Sequence, residues 1–368
     1  MNRFGFLIHP LGMRDVVRHL PNVAGKRPPL VEKVLEWTPS YHASHIHGIR
    51  STLDGREVEG DFFTVPLFPH QILNLDRQFV LNRVLDACRL AEERGAQIIG
   101  LGGYTSVVGS AGRTVADTIQ AAVTSGNSYT VATAIEGATA AARALEIDMT
   151  RASVAVVGAT GSIGSVCSRI LARQGVGRLN LVARSTSRLQ ALAETIRRET
   201  PRAAVALDTD IEAGIHDADV IVTCTTSGGG ILRPEALKSG CVICDVAVPH
   251  DVCREVAQLR PDVLVLEGGV VEAPGEARFN FDFGFPEGIC LACMAETMTL
   301  ALEGRFEDFS IGRGLEMEKV EEIQRLATRH GFRLAGFRAF DEPITTDRIE
   351  EVRALARDHR KGLRVVSS

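Results

Sequence analysis

Short, unbroken apolar runs separated by polar or helix-spaced stretches dominate the middle of the chain. Residues 154–157, 179–183, 204–207, 219–224, 242–248 and 263–266 each read as a strand buried on both sides. Their alternation with helical spacers is the pattern of a parallel sheet covered on both faces. Before residue 150 the pattern is mixed. Residues 1–10 and 57–65 read as strands, 73–94 has helical spacing, 96–101 reads as a strand ending in the loop 102–106, and 127–146 is an Ala-rich helix. After residue 285 the helical period returns over 286–303, 315–330 and 346–360. The expected fold is α/β. A central domain over 151–273 is inserted in a second α/β domain, made of residues 1–150 and completed by C-terminal helices within 274–368 that pack back on it.

The first strand of the central run leads straight into a glycine turn, Val154-Ala-Val-Val-Gly158-Ala-Thr-Gly161-Ser-Ile-Gly164, and then into a helix-spaced apolar segment to about residue 174. Strand, glycine turn and helix in that order form the dinucleotide-binding Rossmann arrangement. The glycines let backbone approach a pyrophosphate, whose charge sits at the helix N-terminus. Gly158, Thr160, Gly161, Ser162 and Ile163 are therefore candidate cofactor contacts. An NAD-specific domain carries an acidic residue about 20 positions further on, to bind the ribose 2′-hydroxyl. Here that place holds Arg184, with Ser185 and Arg188 nearby and no carboxylate. A guanidinium and hydroxyls suit a 2′-phosphate, so the expected cofactor is NADPH. Two loops at strand C-terminal ends, 225–230 and 248–250, add Thr225 and Val248 as cofactor contacts, with His250 beside them.

A length of 368 residues fits two domains. The net charge of −5 and pI near 6.1 point away from general nucleic-acid or membrane-surface binding. No apolar run approaches membrane-spanning length. Eight cysteines without an export signal indicate reduced thiols and a cytoplasmic setting. Two Cys-x-x-Cys pairs, 241/244 and 290/293, raise a four-cysteine zinc site. Cys241 and Cys244 open an apolar strand, where residues three apart face opposite ways, so no metal site is expected. Cys290 and Cys293 differ. With Pro286 near a helix start, both thiols fall in the early turns on one face, where the helix end stabilises the nucleophilic thiolate. Position alone does not choose between them.

Ala292-Cys293-Met-Ala-Glu296-Thr-Met298, followed by Leu302-Glu303-Gly304, resembles the catalytic helix of the long-chain fatty acyl-[acyl-carrier-protein] reductases typified by cyanobacteria. Further similar pieces occur in the family's order: Leu101-Gly-Gly-Tyr-Thr-Ser106, Thr124-Ser-Gly-Asn127, the glycine turn, Gly268-Gly-Val-Val-Glu272, Phe309-Ser-Ile-Gly-Arg313 and Arg329-His-Gly-Phe332. Together they cover nearly the whole chain to residue 332. The segment 272–287 departs from the cyanobacterial pattern, and the tail from about residue 339 is an extension. Asp245-Val-Ala-Val-Pro249-His-Asp251 looks like a glutamyl-tRNA reductase motif. Gly126-Asn127-Ser128-Tyr129 is similar to a shikimate dehydrogenase loop, with Tyr129 where that family has Asp.

The resemblance implies NADPH-dependent reduction of an acyl-ACP or acyl-CoA thioester to a fatty aldehyde, through an acyl group carried on Cys293. It implies an acyl carrier protein or CoA thioester as donor, for which Arg14, Arg18, Lys26 and Arg27 are candidate docking residues. Gly102, Gly103, Asn127 and Gly269 are expected near the substrate, with amides of the glycine pairs 102/103 and 268/269 as oxyanion donors. Met294 and Met298 are expected to line an acyl site. The alternatives are an NADP-dependent oxidoreductase on a smaller substrate, shikimate dehydrogenase-like or glutamyl-tRNA reductase-like, or a nucleotide-sensing protein without turnover. Subunit number is left open.

Overall fold

The structure is a computed structural model that describes residues 1–366 apart from 228, 248, 249, 313 and 341, with side chains to residue 358. It divides into two compact units, Met1–Tyr129 with Val271–Arg333, and Thr130–Val270 with Leu334–Ser368. The second therefore interrupts the first along the chain. The boundaries correct the expected ones. The alanine-rich helix Asn127–Ala144 belongs mostly to the second unit, as does the tail from residue 334, which was expected to pack on the N-terminal region. The tail buries Val352 and Ala356, and exposed ion pairs join it to the unit: Arg357 with Glu146 at 2.6 Å, and Arg254 with Glu342 at 3.4 Å.

In the first unit, β1 (Asn2–Ile8), β2 (Tyr41–Arg50), β3 (Glu57–Thr64), β4 (Ile98–Leu101) and β5 (Ala122–Thr124) join the strand Gly275–Arg278 in one sheet. Its order is Gly275–Arg278, β2, β3, β1, β4, β5. β3, β1, β4 and β5 run parallel, and β2 is antiparallel to β3. Phe6 lies level with Phe62 on one side and Gly100 on the other, and Gly100 lies level with Thr124. These four positions make one row across the sheet, on one face. The alternate positions Leu7, Phe63 and Ile99 turn the other way and bury against Val80, Val84 and Cys88 of the helix Arg77–Glu93. The row's face carries the helix Ala292–Glu303.

In the second unit, β6 (Ser153–Val157), β7 (Arg178–Val182), β8 (Val205–Asp208), β9 (Val220–Thr223), β10 (Val242–Asp245) and β11 (Leu264–Glu267) form an all-parallel sheet in the order β11-β10-β9-β6-β7-β8. The first strand is central and the chain reverses direction between β6 and β9, the doubly wound dinucleotide order. Val154, Ala155, Val156, Ile221 and Ile243 are fully buried, as strands sandwiched between helices require.

The remaining differences from the sequence expectation are local. The helical stretch over 73–94 is two helices, Pro69–Asn74 and Arg77–Glu93, because Asp76 caps the second by accepting from the Phe79 N–H at 2.9 Å. The strand β2 carried no clear signal in its His-rich sequence. The helix expected from Pro286 begins six residues later, at Ala292.

Candidate functional site

The dinucleotide turn is built from close backbone approach. Gly158 has φ 85°, and a Cβ there would come within 2.9 Å of the Cys224 carbonyl. A Cβ at Gly164 would collide with the Gly158 carbonyl and come within 2.9 Å of Cys224 Sγ. Only glycine permits the loop after β6, the loop after β9 and the helix Ser162–Arg173 to meet. Thr160, Ser162 and Ile163 are half-buried and Gly161 is exposed at the N-cap, so the first amides of that helix open outward. This cradle fits a pyrophosphate. Arg184 and Arg188 are exposed past the end of β7, and Ser185 caps the helix Thr186–Glu199. Thr225 is held by Asp251, which accepts from its N–H at 3.0 Å and from its hydroxyl. Val248 lies outside the described residues, as do Gly228 and Arg313.

The two cysteines separate. Cys290 sits in the strand Ile289–Leu291 and is fully buried, whereas Cys293 is the second residue of the helix Ala292–Glu303 and is partly exposed. The two thiols therefore do not share a helix face. The reason is the turn at Pro286–Gly288. The Ile289 N–H donates to the Pro286 carbonyl at 3.1 Å, and Gly288 has φ 77°. Proline here starts a turn, not a helix. Burial pushes the Cys293 thiol up to about 12. The Met294 and Cys293 amides pull it down and the Glu296 charge adds to the rise. The helix-end stabilisation of the thiolate exists, but desolvation outweighs it. In the free chain Cys293 is a neutral thiol.

One turn along, Glu296 is completely buried. It accepts hydrogen bonds from the Thr124 hydroxyl and, at 2.8 Å, from the Tyr129 N–H in the first turn of the helix Asn127–Ala144. A carboxyl thus caps a helix start from another segment of chain. Burial raises its pKa, against the pull of these donors. Between Thr124 and Tyr129, Gly126 has φ 73°, and a Cβ there would collide with Cys293 Cα and Cβ. The Ser310 hydroxyl donates to the Ser128 hydroxyl oxygen at 2.6 Å, fixing the same loop. Asn127 is half-buried beside Gly126. Sequence reasoning missed Glu296, Thr124 and Gly126 as a unit. The signal was the spacing Cys293–Glu296, three residues apart on one helix.

Other expected substrate residues divide. Met294 and Met298 are buried, 4% and 1% exposed, as core of the first unit. The Gly102 N–H donates to the Leu7 carbonyl at 3.0 Å and the Gly268 N–H to the Asp245 carbonyl at 2.7 Å, which removes both from the expected oxyanion donors. Gly103 packs against His9, whose Nε2 accepts from the Tyr104 N–H at 2.9 Å and whose Nδ1 lies 3.1 Å from the Pro10 carbonyl. Burial holds His9 down at about 4. Gly269, φ 86°, turns the chain after β11. In the second unit Asp245 organises its own loop, accepting from the Thr223 hydroxyl and from the Ala247 and Val252 amides at 2.9–3.0 Å. His250 stands between Asp245 and Glu267, at 3.7 and 3.6 Å. Among the described residues no cluster of three or more His, Cys, Asp or Glu side chains is placed to hold a metal. No described helix is long and apolar enough to cross a membrane.

The long-chain acyl-[acyl-carrier-protein] reductase of Synechococcus elongatus (strain ATCC 33912 / PCC 7942 / FACHB-805) is 34% identical over 292 residues, 76% of this chain and 83% of that protein. The chain belongs to the long-chain acyl-[acyl-carrier-protein] reductase family. As a member it is an NAD(P)H-dependent reductase. A family model described as shikimate / quinate 5-dehydrogenase matches residues 139–265, which span β6 to the start of β11. Aminotransferase PigE of Serratia sp. (strain ATCC 39006) is 34% identical over 300 residues, 80% of this chain. The match spans only 34% of PigE's length. Among solved structures, quinate dehydrogenase from Corynebacterium glutamicum in complex with NAD aligns over 89% of this chain and 98% of its own, with TM-score 0.36 and 16% identity.

Proposed function

We propose that this reductase converts a fatty acyl thioester, carried on acyl carrier protein or CoA, to the free aldehyde through an acyl group on Cys293. The observation that supports the reading best is the contrast between the two thiols: Cys293 is partly exposed at a helix start, while Cys290 is sealed in a strand. Cys293 Sγ attacks the thioester carbonyl, the bond to the carrier sulfur breaks, and the cysteine proton leaves with the carrier thiol. A neutral resting thiol suits this exchange, since it stays unreactive until a thioester is seated. The helix-end amides of Cys293 and Met294 then favour the negative charge that develops on sulfur.

NADPH supplies the hydride when bound at the glycine turn. Gly158, Thr160, Gly161, Ser162 and Ile163 would hold its pyrophosphate, Arg184 with Ser185 and Arg188 its 2′-phosphate, and Thr225 the far side of the crevice. The Cys293 thioester, taking up the hydride at its carbonyl carbon and a proton at its oxygen, becomes a hemithioacetal. Its C–S bond breaks to release aldehyde and restore the thiol. Glu296 holds the loop 124–129 against Cys293, and Gly126 leaves room for the backbone beside the sulfur. Arg14, Lys26 and Arg27, all exposed, suit an acidic carrier protein.

Turnover tests the reading. The wild-type chain, supplied with a long-chain acyl thioester and NADPH, should release aldehyde, and Cys290→Ala should retain that activity while Cys293→Ala loses it. Aldehyde release by Cys293→Ala at the wild-type rate would refute the assignment.

A further inference from the structure

Residues 279–285 read Phe-Asn-Phe-Asp-Phe-Gly-Phe. The alternation collects the rings in one cluster although the segment forms no strand. Phe279, Phe281 and Phe283 all lie against Phe62, at ring-centre distances of 6.2, 5.8 and 5.9 Å, and Phe285 packs on Phe283 at 5.8 Å. Phe279 is buried, but Phe281, Phe283 and Phe285 remain partly open. The polar residues between them pin the segment down. Asn280 Nδ2 donates to the His45 carbonyl at 2.9 Å, and Asp282 pairs with Arg18 at 3.6 Å. Phe281 also stacks on His19 at 4.1 Å.

The cluster is tied to the nucleophile's helix. Phe62 stands in the sheet row that continues through Phe6 to Gly100 and Thr124. Phe62 and Phe6 meet edge to face at 6.1 Å. Thr297, whose hydroxyl donates to the Cys293 carbonyl at 3.2 Å, fills the space over Gly100 beside Phe6. Two strand spacings, about 10 Å, separate β3 from β4. The partly open rings and the first turns of the Cys293 helix therefore share one face of one sheet.

We propose that Phe281, Phe283 and Phe285 form the bed on which the acyl chain lies, and that this bed sets the preference for chain length. The proposal rests on the acyl-thioester reading above. Open aromatic surface is unfavourable in water and gains when methylenes cover it. The occupant is an alkyl chain because the rings are apolar and pack on Phe62, in the sheet row whose face carries the helix of Cys293.

Calorimetry with S-octyl, S-dodecyl and S-hexadecyl coenzyme A, unreactive thioethers, measures chain-length dependence without chemistry. Cys293→Ser protein should bind them more tightly as the chain lengthens. Adding Phe281→Ala and Phe283→Ala should cut the hexadecyl-to-octyl affinity ratio by about tenfold or more, with octyl binding little changed. Phe281→Leu with Phe283→Leu should keep most of the ratio, separating loss of apolar surface from misfolding. An unchanged ratio in the alanine variant, an equal loss for all three ligands, or no chain-length dependence in the parent would overturn the proposal. If ring-dependent binding is found while wild-type protein forms no acyl group on Cys293, the covalent reading fails and the bed stands.

Discussion

Two cysteines three positions apart have opposite surroundings, and the backbone decides which is which. Cys290 is locked into a strand with no exposure; Cys293, the second residue of a helix, is only partly buried. With burial holding the Cys293 thiol at about 12, thiolate is scarce near neutrality and grows with pH. The rate of alkylation of Cys293 by iodoacetamide should therefore keep rising through the alkaline range; a plateau near neutral pH would contradict a raised thiol. His9 gives a second titration. The fold holds it neutral down to about 4, whereas an unfolded His takes its proton near 6.5. Between those values the unfolded chain binds more protons, so stability falls as pH drops from about 6.5 to about 4, by up to about 3 kcal/mol. Urea titrations across that window should be flatter for His9→Gln; equal slopes would contradict the assignment. Glu296→Gln replaces the carboxyl that accepts from Thr124 and the Tyr129 amide. It should cost about 1–3 kcal/mol in unfolding free energy and slow acylation of Cys293, and neither effect is expected if Glu296 merely fills space.

At the scale of elements, the loop 124–129 and the helix start at Ala292 behave as one piece. Gly126→Ala places a Cβ on the Cys293 backbone at a left-handed φ of 73°. It should lower the thermal midpoint and abolish thioester turnover, and wild-type behaviour on both counts would contradict the packing. Much of this level was legible in the sequence. Near-continuous Val/Ile/Leu runs marked β6, β7, β9 and β10, because strands covered on both faces leave no polar side to blur the signal. The glycine turn was legible because backbone contact with the loop after β9 excludes any side chain at 158 and 164. What stayed hidden depended on tertiary partners. β2, with His at 42, 45 and 47, is a strand because β3 and the strand Gly275–Arg278 pair with it, not because its own pattern demands it. The delayed helix start at Ala292 was masked by Pro286, whose residue type suits a helix N-terminus and a turn equally. The Glu296 cap joins positions 167 and 172 residues apart, beyond any local pattern.

For the whole molecule, chain order and unit membership diverge: the catalytic candidate and the N-terminal sheet fold together although the dinucleotide unit lies between them in sequence. Family membership rests on the reductase of Synechococcus elongatus, 83% of which is covered; the proposed preference for NADPH over NADH rests on Arg184. At a hundredfold excess over its dissociation constant, NADPH should stabilise the protein by about 2.7 kcal/mol. Arg184→Asp should reduce that stabilisation for NADPH and spare or improve it for NADH, as read from thermal midpoints. An unchanged preference would remove Arg184 from the 2′-phosphate site. The central claim, that Cys293 carries the acyl group, is tested most directly by mass mapping of the protein after incubation with hexadecanoyl thioester, before and after an NADPH chase. The expected record is one hexadecanoyl adduct on the peptide containing Cys293, absent from Cys293→Ala and discharged as aldehyde by the chase. An adduct on Cys290, or aldehyde formed with Cys293 never acylated, would contradict it.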